Sequence, residues 1–341
     1  MLLTSVVVIL AGLMLLLIGW WVWQSQVLNA AKTATLARTA IIVAPLDGIP
    51  EQSPTTTTLP VPTTLPARTE QPLPLPQRDP IPLALDDTSI QQAMLDAINR
   101  DRQNNGLQPV DWDTTAAYAG ALHAADMAAN NYFSHWNTSG HGPEYRYNQA
   151  GGHDSVRENI FTYSYRFDNG QPAPINDFVP IVQAAQESLM NSPGHRANIL
   201  APEHTHVGVG FAYNPQTGSF YLAQEFVNRY VAMQPLPLHT NLGEALPITG
   251  TLLPEASNPS INLTYQPFPE SMDLTVLNTT GSYQRDAEIY QAIPPDIRSD
   301  GTFQAQAMLD YQGQVGLYSV RIWVTVQGQS VLASEWLVEV E

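Results

Sequence analysis

Cysteine is absent from all 341 residues. No disulfide and no thiolate chemistry is therefore available. Oxidising compartments permit disulfides without requiring them, so the absence does not fix a compartment. Lysine is almost as scarce, Lys32 being the only one. Lys and Arg total 14 against 31 Asp and Glu, a net charge of −17. Phosphate binding needs clustered basic side chains, so the composition argues against a nucleic-acid partner. The acidity gives a soluble, self-repelling surface, and carboxylates also attract divalent cations.

Charge is missing altogether from Leu2 to Ala31. Val6 to Val22 is almost wholly apolar, long enough to cross a hydrocarbon core of about 30 Å as a helix. Trp20, Trp21 and Trp23 cluster at its end, as an interfacial aromatic belt does. Residues 3–23 are thus expected to be a transmembrane anchor. A cleavable signal segment is the rival, but no basic residue precedes the run. Lys32 and Arg38 follow the span, yet long domains translocate largely regardless of such charges. The expected placement is the cell membrane, single-pass, with the globular part extracytoplasmic; secretion is the alternative. Residues 45–82 hold eleven prolines and a Thr55–Thr58 run. Proline fixes φ and removes backbone donors, so this stretch reads as an extended stalk.

Helical periodicity begins at Thr88, with Ile90, Met94, Ala97 and Ile98 on one face and Asn104-Asn105-Gly106 as the stop. A second helix is expected from Thr114 to Asn130 and a third from Phe178 to Met190. His206–Tyr213 and Ser219–Val227 read as strands joined by a hairpin loop at Asn214–Gly218. This mixture, without βαβ alternation, predicts an α+β fold. From Pro235 the texture changes to short β-rich runs: Ile261–Tyr265, Met272–Leu277, Val315–Val326 and Val331–Val340. A small Ig-like β-sandwich is expected over residues 235–341, as an adhesive or spacer module.

Seven of the eight histidines lie between His123 and His206. His135 follows a helix end, His195 sits in a Pro-Gly turn, His206 opens a strand, and Glu158 lies between them in sequence. Histidine and carboxylate from separate loops suit a divalent metal site or a general-base site. Only a fold can join residues so far apart. Ser134 and Ser192 neighbour histidines as well, but no Gly-x-Ser-x-Gly motif accompanies them.

The motifs supply that fold. Asn99-Arg100, Asp111-Trp112, His123-Ala-Ala-Asp126, Tyr132-Phe-Ser-His135 and Glu158-Asn-Ile160 appear in order. Asn191-Ser-Pro-Gly-His-Arg-Ala-Asn-Ile-Leu200, Thr205-His-Val-Gly-Val-Gly210 and Tyr221-Leu-Ala-Gln-Glu-Phe226 follow. The set resembles the bacterial branch of the CAP superfamily (cysteine-rich secretory proteins, antigen 5, pathogenesis-related class 1; SCP-like). The resemblance covers roughly Thr88 to Arg229, within a CAP domain expected over residues 88–232, and implies an α-β-α sandwich with an open cleft. It implies His135, Glu158 and His195 as cleft residues and ligands for zinc or another divalent cation. The position of the family's second Glu falls on Ser192; Glu187 and His206 are the further donors at hand. The leading functional expectation is an extracytoplasmic binding protein for a lipid, glycan, cell-wall or protein ligand, tethered to the membrane by the N-terminal helix. A metal-assisted hydrolase or peptidase using the same cleft is the alternative. The catalytic candidates are then His135, Glu158 and His195.

Overall fold

Small side chains set the spacing of the first layers. The computed structural model describes residues 88–281 and 288–341. Helix α1 (Thr88–Asn104) buries Ile90, Met94, Ala97 and Ile98. Strand β1 (Asp111–Trp112) follows, then α2 (Thr114–Asn130). Asp113 caps α2 by accepting a hydrogen bond from Ala116 N, and left-handed Asn131 (φ 57°) ends it. After α3 (Pro143–Gln149) come β2 (Ser155–Ser164), α4 (Val179–Asn191), α5 (Pro193–Ile199), β3 (His206–Asn214) and β4 (Ser219–Asn228).

The sheet order is β1-β3-β4-β2, which leaves β2 at an edge. Alternation along the strands sends two sets of side chains to opposite faces. Val207, Val209, Phe211, Phe220, Leu222 and Phe226 pack with α1, α4 and α5. Val156, Ile160, Tyr221, Ala223 and Val227 face α2 and α3. The result is three layers, α-β-α. Helix α2 lies unusually near the sheet because β3 presents glycine to it. A Cβ at Gly208 would collide with the backbone of Ala117, and one at Gly210 with that of Ala121. Wholly buried Arg102 ties the chain after α5 to α1, donating to the carbonyls of Ile199 (2.8 Å) and Ala201 (2.9 Å).

A β-sandwich follows. One sheet orders β10 (Asp296–Ile297), β11 (Thr302–Met308), β7 (Ala245–Leu252) and β5 (Val231–Met233). The other orders β6 (His239–Thr240), β13 (Gln329–Val340), β12 (Gly316–Val326), β8 (Ala256–Gln266) and β9 (Glu288–Ile293). Ile248, Ile261, Phe303, Val320, Ile322 and Val338 fill the space between them. Strand β13 also leans on α3. Buried Asn148 accepts from Leu337 N (2.7 Å) and donates to Glu335 O (3.1 Å), and Tyr145 donates to Glu339 (2.6 Å).

Two expectations change. Met272–Leu277 is not a strand: Asp273 caps a single helical turn, α6 (Leu274–Leu277), by accepting from the amides of Thr275 and Val276. The side chain thereby satisfies backbone donors that a strand would have needed a neighbour for. The second concerns the membrane. The anchor expected over residues 3–23 and the stalk over 45–82 lie outside the described residues. Among the described residues no helix is long and apolar enough to cross a membrane. The longest, α1 and α2, have 17 residues each and reach only about 26 Å. Over the described residues the fold class is therefore corrected to an α+β domain followed by a β-rich region, with no transmembrane helix among them. The membrane partner and the single-pass cell-membrane placement rested on that anchor, and no helix among the described residues supports them.

Candidate functional site

A carboxylate on a core-facing strand position needs a cation. Glu158 shares the inward face of β2 with Val156 and Ile160, and its side chain is fully buried. Arg146, one turn inside α3, donates from Nη2 to Glu158 Oε2 at 2.6 Å. His135, on the loop after α2, places Nδ1 2.7 Å from Glu158 Oε1. Burial alone would raise the Glu158 carboxyl. Arg146 and the nearby imidazoles outweigh it and hold the group below the usual carboxylate range. An anionic acceptor makes His135 Nδ1 the donor, so exchange of a proton with any ligand runs through Nε2.

Two further groups, His123 and Glu225, complete the cluster. Arg146 also grips the backbone of the loop, donating from Nη1 to His135 O (2.7 Å) and His141 O (3.1 Å). His123 of α2 bonds Ser134 O through Nε2 at 2.8 Å. Burial, with Arg146 nearby, pushes its pKa down to about 3. Its 4.0 Å approach to Glu158 is therefore the contact of a neutral ring and not an ion pair. Glu225 lies directly across from Glu158 in the β2–β4 ladder. Complete burial and the Glu158 charge push its carboxyl well above the usual range. Two like charges cannot face each other there, so Glu225 is the neutral acid of the pair.

His195 comes to the same strand from the other face. Asn159, next after Glu158, points to the α4–α5 side and donates to His195 O (3.2 Å) and Gln224 (3.2 Å). His195 Nδ1 stands 2.9 Å from Ser192 Oγ. The structure thus joins His135 directly to Glu158 and brings His195 to the same edge strand. Glu187 and His206 are elsewhere. Glu187 lines a shallow groove with Arg100, Pro180 and Gln183. His206 sits on β3, beyond β4, with Thr205 Oγ1 at 2.9 Å. A second groove, about 630 Å³ between α1 and α4, is lined by Ala93, Asp96, Arg100 and Gln183 and includes no imidazole.

Zinc or another divalent cation was the cofactor implied. Among the described residues no group of three or more His, Cys, Asp or Glu side chains is placed to hold a metal ion. Both oxygens of Glu158 are already committed, to His135 and Arg146. Held this way, the carboxylate orients an imidazole.

Arg146 and Glu225 were missed as site residues. A charged residue in phase with Val156 and Ile160 signals a buried anion, and so calls for a buried arginine. The sequence holds few candidates, since Lys and Arg total only 14. Glu225 was visible inside its motif, but strand pairing is what sets it opposite Glu158.

Residues 95–226 match the model of the CAP family, the Cysteine-rich secretory protein family. The chain carries a CAP/SCP-like domain. Two Bacillus subtilis (strain 168) proteins are similar: the uncharacterized protein YkwD, 29% identical over 145 residues, and the uncharacterized membrane protein YlbC, 29% over 143. Each match takes in 42% of this chain, with 48% of YkwD and 36% of YlbC. The chain thus spans about half or less of these relatives. Among solved structures, an extracellular SCP-domain protein from Bacillus anthracis str. Ames is 29% identical, with 41% of each chain covered and a TM-score of 0.33. An outer surface protein from Borrelia burgdorferi is 13% identical, with 44% of this chain and 99% of that one covered and a TM-score of 0.35.

Proposed function

We propose that the CAP-like domain is a hydrolase whose cleft opens at the edge of β2, with His135 as the proton-transfer group. One observation supports this reading: a partly exposed imidazole is anchored through Nδ1 to a fully buried carboxylate held anionic by Arg146. A base whose second nitrogen is oriented by a carboxylate is the arrangement acyl-transfer enzymes use. Water on the cleft side gives its proton to His135 Nε2 as its oxygen attacks an ester or amide carbonyl; the tetrahedral intermediate then breaks its bond to the alcohol or amine, which takes that proton from Nε2 as it leaves. Glu158, at 2.7 Å, stabilises the imidazolium that forms. A neutral Glu225 leaves that single negative charge in place. No step is routed through a metal.

Activity of the full chain on a panel of chromogenic esters and peptides tests this reading. His135→Asn should lower kcat/KM by at least ~100-fold, as loss of a general base does, with an unchanged melting temperature. A chelator should leave the rate as it was. A metal-assisted reaction would be silenced by the chelator instead.

A second reading, ligand binding without turnover, is favoured by a separate observation. Arg146 ties the His135 loop to β2 through three hydrogen bonds, as a purely structural clamp would. Rates at background across the panel, with wild type and His135→Asn alike, would select it.

A further inference from the structure

The loop from Asn131 to Gly140 carries His135 and belongs to no sheet or helix. It starts at left-handed Asn131 (φ 57°) and ends at left-handed Gly140 (φ 74°). One internal turn, built on Asn137, gives it shape: Asn137 Oδ1 accepts from His141 N at 2.8 Å. Arg146 and His123 hold it from the CAP side. A His–carboxylate bond works only if such a loop is fixed to within about 0.5 Å.

The opposite side of the loop is held by the β-sandwich. After β8 the chain leaves the sheet, and residues 269–280 run over the CAP-like layers. Met272 N donates to Thr138 O at 2.9 Å. Phe133 N donates to Asn278 Oδ1, also at 2.9 Å. Gly140 packs so closely on the Glu270 carbonyl that a Cβ there would collide with it. At the end of α6, Leu277 is wholly buried. It belongs to one buried cluster with CAP-side residues that include Met127 and Ala128 of α2, Ile160 of β2, and Tyr132 and Trp136 of the loop itself. Tyr132 and Trp136 flank His135 in sequence, so the cluster that Leu277 joins holds the loop on both sides of the imidazole. The exposed Asn278 bond adds direction and little energy.

We propose that the strap from Pro269 to Thr280 is a positioning element of the site, with Leu277 as its anchor and Asn278 as its register pin. The strap keeps His135 Nδ1 against Glu158. The β-sandwich is then part of the site's machinery and not merely a spacer. This extends the reading above by taking His135 as the working group, but its test uses no turnover, so either can fail alone.

The test is NMR of the full chain with ¹⁵N-labelled histidine, following solvent exchange of the His135 Nδ1–H bonded to Glu158. Absence of the signal in His135→Asn assigns it. His204, held by Asn228 at 2.8 Å and Asn198 at 3.0 Å, is the internal control. Leu277→Ala should speed exchange at His135 by at least ~10-fold, a local opening, with His204 unmoved. Asn278→Ala should shift exchange in the same direction, and Asn278→Asp, which retains the acceptor for Phe133 N, should restore it. Exchange within ~2-fold of wild type in Leu277→Ala overturns the proposal. If Leu277→Ala also loses the His204 signal, the Asn278 pair decides. Equal exchange in its Ala and Asp variants overturns the proposal as well.

Discussion

Replacing Glu158 by Gln removes one charge from a closed cluster and leaves the shape intact. Arg146 would remain buried with its cation uncompensated, which costs about 3–5 kcal/mol at buried pairs. The lower end is expected, because Glu225 would no longer face an anion. Arg146 already pulls its carboxyl toward ionisation, and a newly ionised Glu225 would take over part of the neutralisation. For a domain of this size the loss corresponds to a fall of roughly 6–20 °C in melting temperature. The pH dependence carries the diagnosis. Glu158 has a folded pKa below its unfolded value, so its contribution is present above the unfolded value of about 4.3 and is lost as pH falls below it. Thermal unfolding by near-ultraviolet circular dichroism should show the full difference from about pH 6 to 8 and a shrinking one below about pH 4. A difference that is the same at pH 7 and pH 3, or absent at both, refutes the charge argument.

Glu225→Gln should act in the opposite sense. The folded pKa of Glu225 is raised, so its favourable term is full below the unfolded value and is lost as pH rises. The variant should therefore melt above wild type at pH 7 and match it near about pH 4; a lower melting point at pH 7 would count against a neutral acid there. His123 and His204 are both pushed down to about 3 by burial. Their ring resonances should stay constant from pH 8 to about 4.5, and a midpoint near the ordinary value of about 6.5 in either would contradict the assignment. Gly210→Ala forces a Cβ into the backbone of α2 at Ala121 and should cost about 3 kcal/mol or more by urea denaturation. A loss below about 1 kcal/mol would mean that the helix can shift.

Much of the fold could be read from local chemistry. The apolar spacing from Ile90 and the Asn-Asn-Gly stop correspond to α1, Thr88–Asn104. The runs from His206 and Ser219 correspond to β3 and β4, each extended by one residue at its end. Met272–Leu277 failed because alternation cannot distinguish a strand from a short capped turn. The deciding fact, Leu277 buried in one cluster with residues of α2, β2, β3 and β4, is tertiary. At the site, His135 and Glu158 were legible through their motifs, and their direct bond follows from β2 phase and loop position. His195 was legible too, but not its approach from the far face of β2, since that depends on Asn159 pointing away from Glu158. Glu187 and His206 looked available only because sequence distance is silent about which layer a residue occupies.

The central claim is that His135 and Glu158 act as one unit in turnover. A double-mutant cycle with His135→Asn, Glu158→Gln and the double variant measures this directly. Each kcat/KM should be taken on the best ester or peptide of the panel, at a temperature where all four proteins are folded. Groups that work as a unit lose their effect together. Glu158→Gln should lower the rate in wild type by at least ~10-fold and have almost no further effect once His135 is Asn. Losses that multiply independently, or a wild-type rate that neither substitution changes, would contradict the claim.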